Sequence, residues 1–414
     1  MSRVVVVGSG GREHALAWKL SENAQVVVTP GSDGMRAGGL WCTSASPVDL
    51  DAELFVIGPE IPLVAGLANT LRGQGKLVFG PNFDGAQLEG SKAHMKELLA
   101  TANVPTAQFG SFRNDDDASA MLRTMTPPYV IKTDGLAAGK GVLVTSSLDE
   151  AMLDVRDKLS GKAFGDAGSS VVVEEFLRGE ECSLLVLCDG SRAVPLLPAQ
   201  DFKRVGDGDV GPNTGGMGAF APLPRMTREV IDEVMRVIIE PTMRELRHRE
   251  IDYRGVLYAG LMLTPTGPKL LEYNVRFGDP ETQVVIPLLA DSLFSVLSAA
   301  ARGELYDAPR FYPGAAVTVV LAAAGYPTSP RGGDVISGLG DDGQLAEARE
   351  DVRVFHAGTR RNDEGQFVTA GGRVLNVTAT GTTIAEARHR AYAAVATIQF
   401  DGCVLRHDIG AAYQ

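Results

Sequence analysis

The 414-residue chain is 44% apolar and 22% charged, an ordinary globular composition too hydrophobic for general disorder. Its 51 acidic and 39 basic side chains leave a formal charge of -12, which repels nucleic acid and anionic lipid at long range, so an anionic substrate needs a local positive pocket. No stretch approaches the roughly 18 apolar residues of a membrane span, and no basic leader or cleavage site marks the start. A soluble cytoplasmic protein with no nucleic-acid or membrane partner is expected. At about 100 to 200 residues per domain, the length predicts two to four packed units. The scattered cysteines Cys42, Cys182, Cys188 and Cys403 form no C-x-x-C pair and read as buried free thiols, and the six histidines show no metal-ligand spacing.

From the N-terminus, the strand Val4 to Val7, helix Arg12 to Ser21, strands Gln25 to Val28 and Leu54 to Ile57, helix Leu63 to Arg72 and strand Leu77 to Phe79 predict a parallel sheet flanked by helices. The ligand edge of such a sheet lies beyond its strand C-termini. Three loops fall there, Gly8-Ser9-Gly10-Gly11, Gly58-Pro59-Glu60 and Gly80-Pro81-Asn82. The first opens a helix, where free N–H groups and the helix dipole favour a phosphate; a purely structural turn is the alternative. Glu13 occupies the third glycine position of G-x-G-x-x-G, which argues against an ordinary dinucleotide site.

At Ala102 to Thr106 a proline ends the helix begun near Ser91, and a second, α+β unit begins. Its loop Lys132 to Val142 carries Lys132 and Lys140 at the ends of a glycine- and alanine-rich stretch between two strands. Such a loop can close over a polyphosphate, although it is not a Walker A sequence and a flexible hairpin with solvated lysines is the alternative. The strand Val171 to Glu174 runs into the acidic segment Glu175 to Glu181, whose exposed backbone could read an adenine edge; a solvated acidic end fits equally well. The polar stretch Ala199 to Arg204 and Gly211 to Gly218 forms a long loop, either functional or disordered. In Leu270 to Glu281, residues two apart share a strand face, so Glu272 and Asn274 project together as hard oxygen ligands suited to Mg²⁺, with Leu271 and Tyr273 opposite. Arg276 on that face could clamp a carboxylate or acyl phosphate; a sheet-edge salt-bridge ladder is the alternative. The tail from Tyr312 carries strands Ala316 to Ala322 and Arg373 to Ala379 and helix Ile384 to Thr397, predicting a third unit.

In this order, together with Leu88-Glu89-Gly90-Ser91-Lys92, Tyr258 to Met262, Val354 to Thr359 and Thr369 to Leu375, these segments resemble the phosphoribosylamine-glycine ligase (glycinamide ribonucleotide synthetase) family of the ATP-grasp superfamily along essentially the whole chain. The resemblance implies an N-terminal parallel-sheet substrate-binding domain at 1–103, a central ATP-grasp domain at 104–308 with a mobile lid at about 113–179, and a small C-terminal α+β domain at 309–414. It implies de novo purine (IMP) synthesis, in which ATP and Mg²⁺ or Mn²⁺ support ligation of glycine to 5-phosphoribosylamine through glycyl phosphate, giving glycinamide ribonucleotide, ADP and phosphate. A monomer is expected.

Carried over by position, Lys132 and Lys140 contact phosphates, Glu174, Glu175, Phe176 and Leu177 hold adenine, Glu181 holds the ribose, Glu272 and Asn274 hold the metal, and Arg276 faces the glycine carboxylate. Gly10, Gly11, Arg12, Glu13, Glu60, Asp201, Thr214, Gly215, Gly216 and Met217 line the phosphoribosylamine pocket, and Arg276, Lys132, Lys140 and Asp201 form the catalytic set. The chain departs from the family pattern at Phe202, where a histidine is usual, at Asn69, where an aspartate is usual, and in the shortened region Gly38 to Leu54, which lacks most of a crossover helix. An ATP-grasp ligase acting on another amine and a nucleotide-binding regulator without catalysis are the alternatives. The complete transfer set argues against the second, because a sensor has no need of it.

Overall fold

The computed structural model describes residues 2–136, 141–161 and 170–413. Arg3–Gly8 is the middle strand of a five-stranded parallel sheet, ordered Trp41–Cys42, Gln25–Pro30, Arg3–Gly8, Leu54–Ile57, Val78–Phe79. Val4, Val5 and Val6 are fully buried, as befits a parallel strand covered on both faces. The helix expected at Leu63 to Arg72 is two short ones, Glu60–Val64 and Leu67–Gly73, because Gly66 between them has φ +82°, outside the helical region. The shortened region keeps the edge strand Trp41–Cys42 and crosses to Leu54–Ile57 through one 3-10 turn, Pro47–Asp49. Helix Lys92–Thr101 starts at its Ser91 cap and ends before Asn103 and Pro105.

Two antiparallel four-stranded sheets follow. One is ordered Phe109–Phe112, Val171–Glu175, Tyr129–Thr133, Val142–Thr145. Helices Asp115–Thr124 and Leu148–Leu159 meet it in a separate small core that takes Tyr129, Ile131, Val171 and Val173 from the sheet. Since alternate strand residues face opposite ways, Lys132 and Glu174 project from the sheet's other face. Residues 176–179 lead from it into the second sheet, ordered Ala193–Pro195, Glu180–Asp189, Arg254–Thr264, Gly267–Asn274.

The helical segment from Arg228 to His248 contains a π-helical turn, Met235–Ile239, between Arg228–Val234 and Glu240–His248. Pro241 lacks an N–H and crowds the carbonyl four residues before it, and a widened turn relieves both.

A five-stranded antiparallel sheet is ordered Gln200–Asp201, Gly218–Ala221, Ala315–Ala322, Arg373–Gly381, Val352–His356, so strands from the central third pair directly with those of the C-terminal third. Both large cores run through the whole body: one joins Val5, Leu184 and Val317, the other Val4, Leu185 and Ala316. Among the described residues no helix is long and apolar enough to cross a membrane.

Candidate active site

The strand Gly267–Asn274 delivers the transfer residues to one edge, with a correction to the simple alternation. Glu272 pairs with Gly260 but Leu270 pairs with Leu261, so Leu271 is the extra residue of a bulge and does not share a side with Tyr273 as regular spacing predicts. Leu270 and Tyr273 go to the core, and Glu272 and Asn274 stay together on the half-buried face. Burial would raise the Glu272 carboxyl, but Lys203, Lys132, Lys92 and Arg276 outweigh it and hold the group below the ordinary carboxylate range. The Lys203 ammonium lies 3.8 Å from Glu272 Oε1 and also pairs with Glu181.

Two oxygen donors of this kind fit a hard cation that completes its shell with phosphate and water. Among the described residues no cluster of three or more acidic, histidine or cysteine side chains could hold a metal ion by itself.

Arg276 next to this edge is well tied. Its guanidinium donates to Glu60 at 3.3 Å, Glu89 at 3.1 Å and Asn274 Oδ1 at 3.2 Å. Burial would raise the Glu60 carboxyl, but the nearby Arg276 and Arg12 more than reverse the effect and leave it below its usual range. Glu89 goes the other way: it is more deeply buried, and desolvation raises it despite Arg276.

The detached sheet meets the body through charge. Glu174, only 2% exposed, is paired with Lys96 at 3.2 Å and Lys132 at 3.0 Å, and Lys132 also donates to the Leu271 carbonyl at 3.3 Å. Lys96 has no exposed surface, and burial lowers its ammonium to about 8. The Glu174 carboxylate is thus the counter-ion of two lysines. Glu175 pairs with Lys269 at 3.2 Å and accepts from the Gln108 N–H; Phe176 is exposed under the Arg178 guanidinium, and Leu177 is buried. Asp134 fastens the start of the lysine loop by accepting from Ser91 Oγ at 3.3 Å, the Ala93 N–H at 3.2 Å and Ser170 Oγ at 2.8 Å, while Lys92 donates to the Gly135 carbonyl at 2.9 Å. Lys140 lies outside the described residues.

At the end of the parallel sheet the first turn wraps a carboxylate. Glu13 Oε2 accepts from the Gly10 N–H at 2.7 Å and Oε1 pairs with Arg12, so that N–H is already used by the protein. Gly8 and Gly58 flank the Glu13 side chain so closely that a Cβ at either would collide with it. Gly11 lies equally close to Asn376 and Gln283. Arg12 and Arg276 both donate to the Phe277 carbonyl, at 3.2 and 3.3 Å, which links this turn to the transfer edge.

The long polar loop is ordered. It contains the hairpin Arg204–Gly206 and Val210–Asn213, and its Thr214 N–H and Oγ1 both donate to the Lys203 carbonyl, at 2.8 and 2.9 Å. Gly216 donates to Thr214 Oγ1, and buried Met217 donates to the Phe202 carbonyl. Arg373 bonds the carbonyls of Gly215 and Asp279 and pairs at 3.0 Å with Asp279 Oδ2, which lies beside Gly10. Thr214 to Met217 and Gly10 to Glu13 are thereby brought together. Burial pushes the Asp201 carboxyl up to about 8, Lys203 opposes this, and Glu281, Glu181 and Glu272 add to it.

Lys203, Glu89, Lys92, Lys96, Asp279 and Arg373 were not singled out for roles from sequence. All but Lys96 stand inside segments quoted above, and the placement of Lys203, Glu89 and Lys92 against Glu272 and Arg276 is the signal that spacing within one strand does not carry.

Models of the N domain, ATP-grasp (A) domain and C domain of phosphoribosylglycinamide synthetase match residues 2–89, 90–282 and 316–412. Over 420 residues the chain is 49% identical to the phosphoribosylamine-glycine ligase of Mesorhizobium japonicum, covering 98% of this chain and 97% of that protein. It is 47% identical over 424 residues to the protein of the same name from Escherichia coli O6:H1, covering 99% and 98%. The crystal structure of phosphoribosylamine-glycine ligase from Thermotoga maritima superposes with a TM-score of 0.86 at 35% identity, covering 98% of this chain and 100% of that one. A biotin carboxylase domain of Hydrogenobacter thermophilus 2-oxoglutarate carboxylase, solved with MgADP, shares the fold at a TM-score of 0.72 and 17% identity, covering 98% and 91%.

Proposed function

The chain belongs to the phosphoribosylglycinamide synthetase family, and on that premise we infer that it joins glycine to 5-phosphoribosylamine in de novo purine synthesis. It is an ATP-dependent ligase. The observation that carries the choice of chemistry is the gathering of Lys92, Lys132, Lys203 and Arg276 around Glu272 and Asn274, a cationic edge in a chain of net charge -12.

The glycine carboxylate attacks the γ-phosphorus of ATP, and the bond to the bridging oxygen breaks to release ADP. The phosphoribosylamine nitrogen then attacks the carbonyl of glycyl phosphate, phosphate leaves, and the nitrogen gives up a proton to form the amide. Lys132 and Lys140 neutralise charge on the transferring phosphoryl group, and Arg276 orients the glycine carboxylate. Residues 174–177 and Glu181 bind the nucleoside, with Glu174 acting through its hold on Lys96 and Lys132. Glu272 and Asn274 hold Mg²⁺ or Mn²⁺, which supplies charge neutralisation at the phosphates when bound. Gly10 to Glu13, Glu60, Asp201 and Thr214 to Met217 form the acceptor pocket. Residues 113–179 act as a lid that keeps water from the acyl phosphate, between an N-terminal unit ending near 103 and a C-terminal unit from about 309. The enzyme works as a monomer.

Phosphate release from ATP and Mg²⁺ with freshly generated phosphoribosylamine, with and without glycine, tests the substrates. Release that needs both, with a product of the mass of glycinamide ribonucleotide, is expected. ATP binding without release, where a control ligase turns over, would overturn them.

A further inference from the structure

Phe202 and Lys203 hold the Thr214 to Met217 turn entirely through backbone: the Lys203 carbonyl receives both groups of Thr214, the Phe202 carbonyl receives the Met217 N–H, and the Phe202 N–H donates to the Gly218 carbonyl at 3.0 Å. Whatever fixes Phe202 and Lys203 therefore fixes one side of that turn, the other being held by Arg373 and Tyr326 at Gly215. The fixing group comes from the last ten residues of the chain. Arg406, whose side chain is 1% exposed, lies over the Phe202 ring with its guanidinium carbon 4.8 Å from the centroid. It donates to the Arg204 carbonyl at 3.2 Å and Asp209 at 2.6 Å, and its fork meets Asp408 with bonds of 2.7 and 2.6 Å. Asp408 also accepts from the Gly208 N–H at 2.8 Å, and Asp207 receives the His407 N–H at 2.7 Å. The hairpin is thus clasped along its length by residues some 200 positions later in the chain.

We propose that Arg406 is a positioning residue for the acceptor side of the reaction, acting through Phe202, Arg204 and the hairpin to set the Thr214 to Met217 turn. The role rests on the proposed substrates. Nothing in the clasp touches Lys132, Glu174 or residues 175–177; its one link to the nucleotide side is the Lys203 ammonium on Glu181, so the effect falls mainly on the amine. An arginine suits the task because its planar fork satisfies Asp408 while its face covers an aromatic ring, which a lysine cannot do at once.

Steady-state kinetics of Arg406→Gln, Arg406→Lys and Asp209→Asn, with each of the three substrates varied in turn, tests the role. Misplacing the turn raises the KM for the amine about tenfold or more in Arg406→Gln and lowers kcat, with the KM for ATP within about twofold. Arg406→Lys restores part of the loss. Asp209 is 71% exposed, so Asp209→Asn leaves the fold intact and shifts the same KM by about two- to threefold if Arg406→Gln does not fold. Wild type that ligates the pair while these variants keep its KM for the amine, or raise all KM values together, overturns the role of Arg406. Wild type that releases no phosphate with the pair overturns the proposed substrates, and this role with them.

Discussion

The sheet Phe109–Phe112, Val171–Glu175, Tyr129–Thr133, Val142–Thr145 keeps its own small core, whereas the sheet carrying Ala315–Ala322 and Arg373–Gly381 shares both large cores with the N-terminal strands. The first meets the body through Lys96, Lys132 and Glu174 and the bonds of Asp134. The second docks its edge strand on helix Gly11–Ser21, where the His356 N–H donates to His14 Nδ1 at 2.9 Å among buried aromatic rings. Ion pairs have a large desolvation cost and a sharp dependence on geometry, while apolar packing is tolerant of small shifts. The proposed lid is held by the first kind of contact, and the platform it would close on by the second.

The largest effect should come from breaking the polar seam. Glu174→Gln leaves Lys96 and Lys132 as buried cations without their counter-ion, a change that costs about 3–5 kcal/mol in comparable pairs. The loss should fall on the detached sheet, so amide exchange speeds up in strands Tyr129–Thr133 and Val171–Glu175 and not in Ala315–Ala322. Equal acceleration in all three would show that the two seams do not differ. Adding Lys96→Met should recover part of the loss.

Glu272→Gln probes the edge between the two regions. It keeps the shape and removes the charge around which Lys92, Lys132 and Lys203 are arranged. Turnover should fall by roughly two orders of magnitude, about 2.7 kcal/mol, with nucleotide affinity changed only a few-fold. A normal rate would remove Glu272 from the metal site.

The packed seam should answer to pH instead. Burial first, then neighbouring cations, lower His14 to about 3, and burial lowers His356 to about 4, both from an ordinary 6.5. Between those values the unfolded chain binds protons that the folded chain refuses. Stability is therefore complete above pH 6.5 and is lost as the pH falls towards 4, by at most about 1.4 kcal/mol per pH unit for each histidine. Melting temperatures from pH 8 to 5 should drop less steeply in His356→Gln than in wild type; identical slopes would sink the assignment.

Within single elements the sequence is a good guide to this molecule. The run Val4 to Val7 and the period-two placing of Glu272 and Asn274 were legible because a parallel strand and a site edge are written in neighbouring residues. The bulge at Leu271 was not, because it depends on the register with Leu261 across the sheet. Nor was the commitment of the Gly10 N–H to Glu13, which looks from sequence like a donor available to an anion. The pairs Arg276 with Glu89, Lys203 with Glu272 and Arg373 with Asp279 join segments far apart in the chain, and no periodicity reports which distant segments meet.

The smallest effect concerns a departure from the family pattern in the packed half. Helix Phe83–Gly90 begins after Asn82, whose own side chain is turned to Arg72 and does not cap the helix. Asn69 takes over: its Oδ1 accepts from the Phe83 N–H at 2.7 Å. An aspartate there would present the same oxygen, so replacing it by asparagine gives up charge and keeps the bond. Asn69→Ala should then cost about 1 kcal/mol, the usual value of a lost helix cap, while Asn69→Asp should match or slightly exceed wild-type stability because a carboxylate at a helix N-terminus gains from the dipole. If Ala and Asp were equally harmless in denaturant melts, the Phe83 N–H would be satisfied by water and the side chain at 69 would matter to neither half.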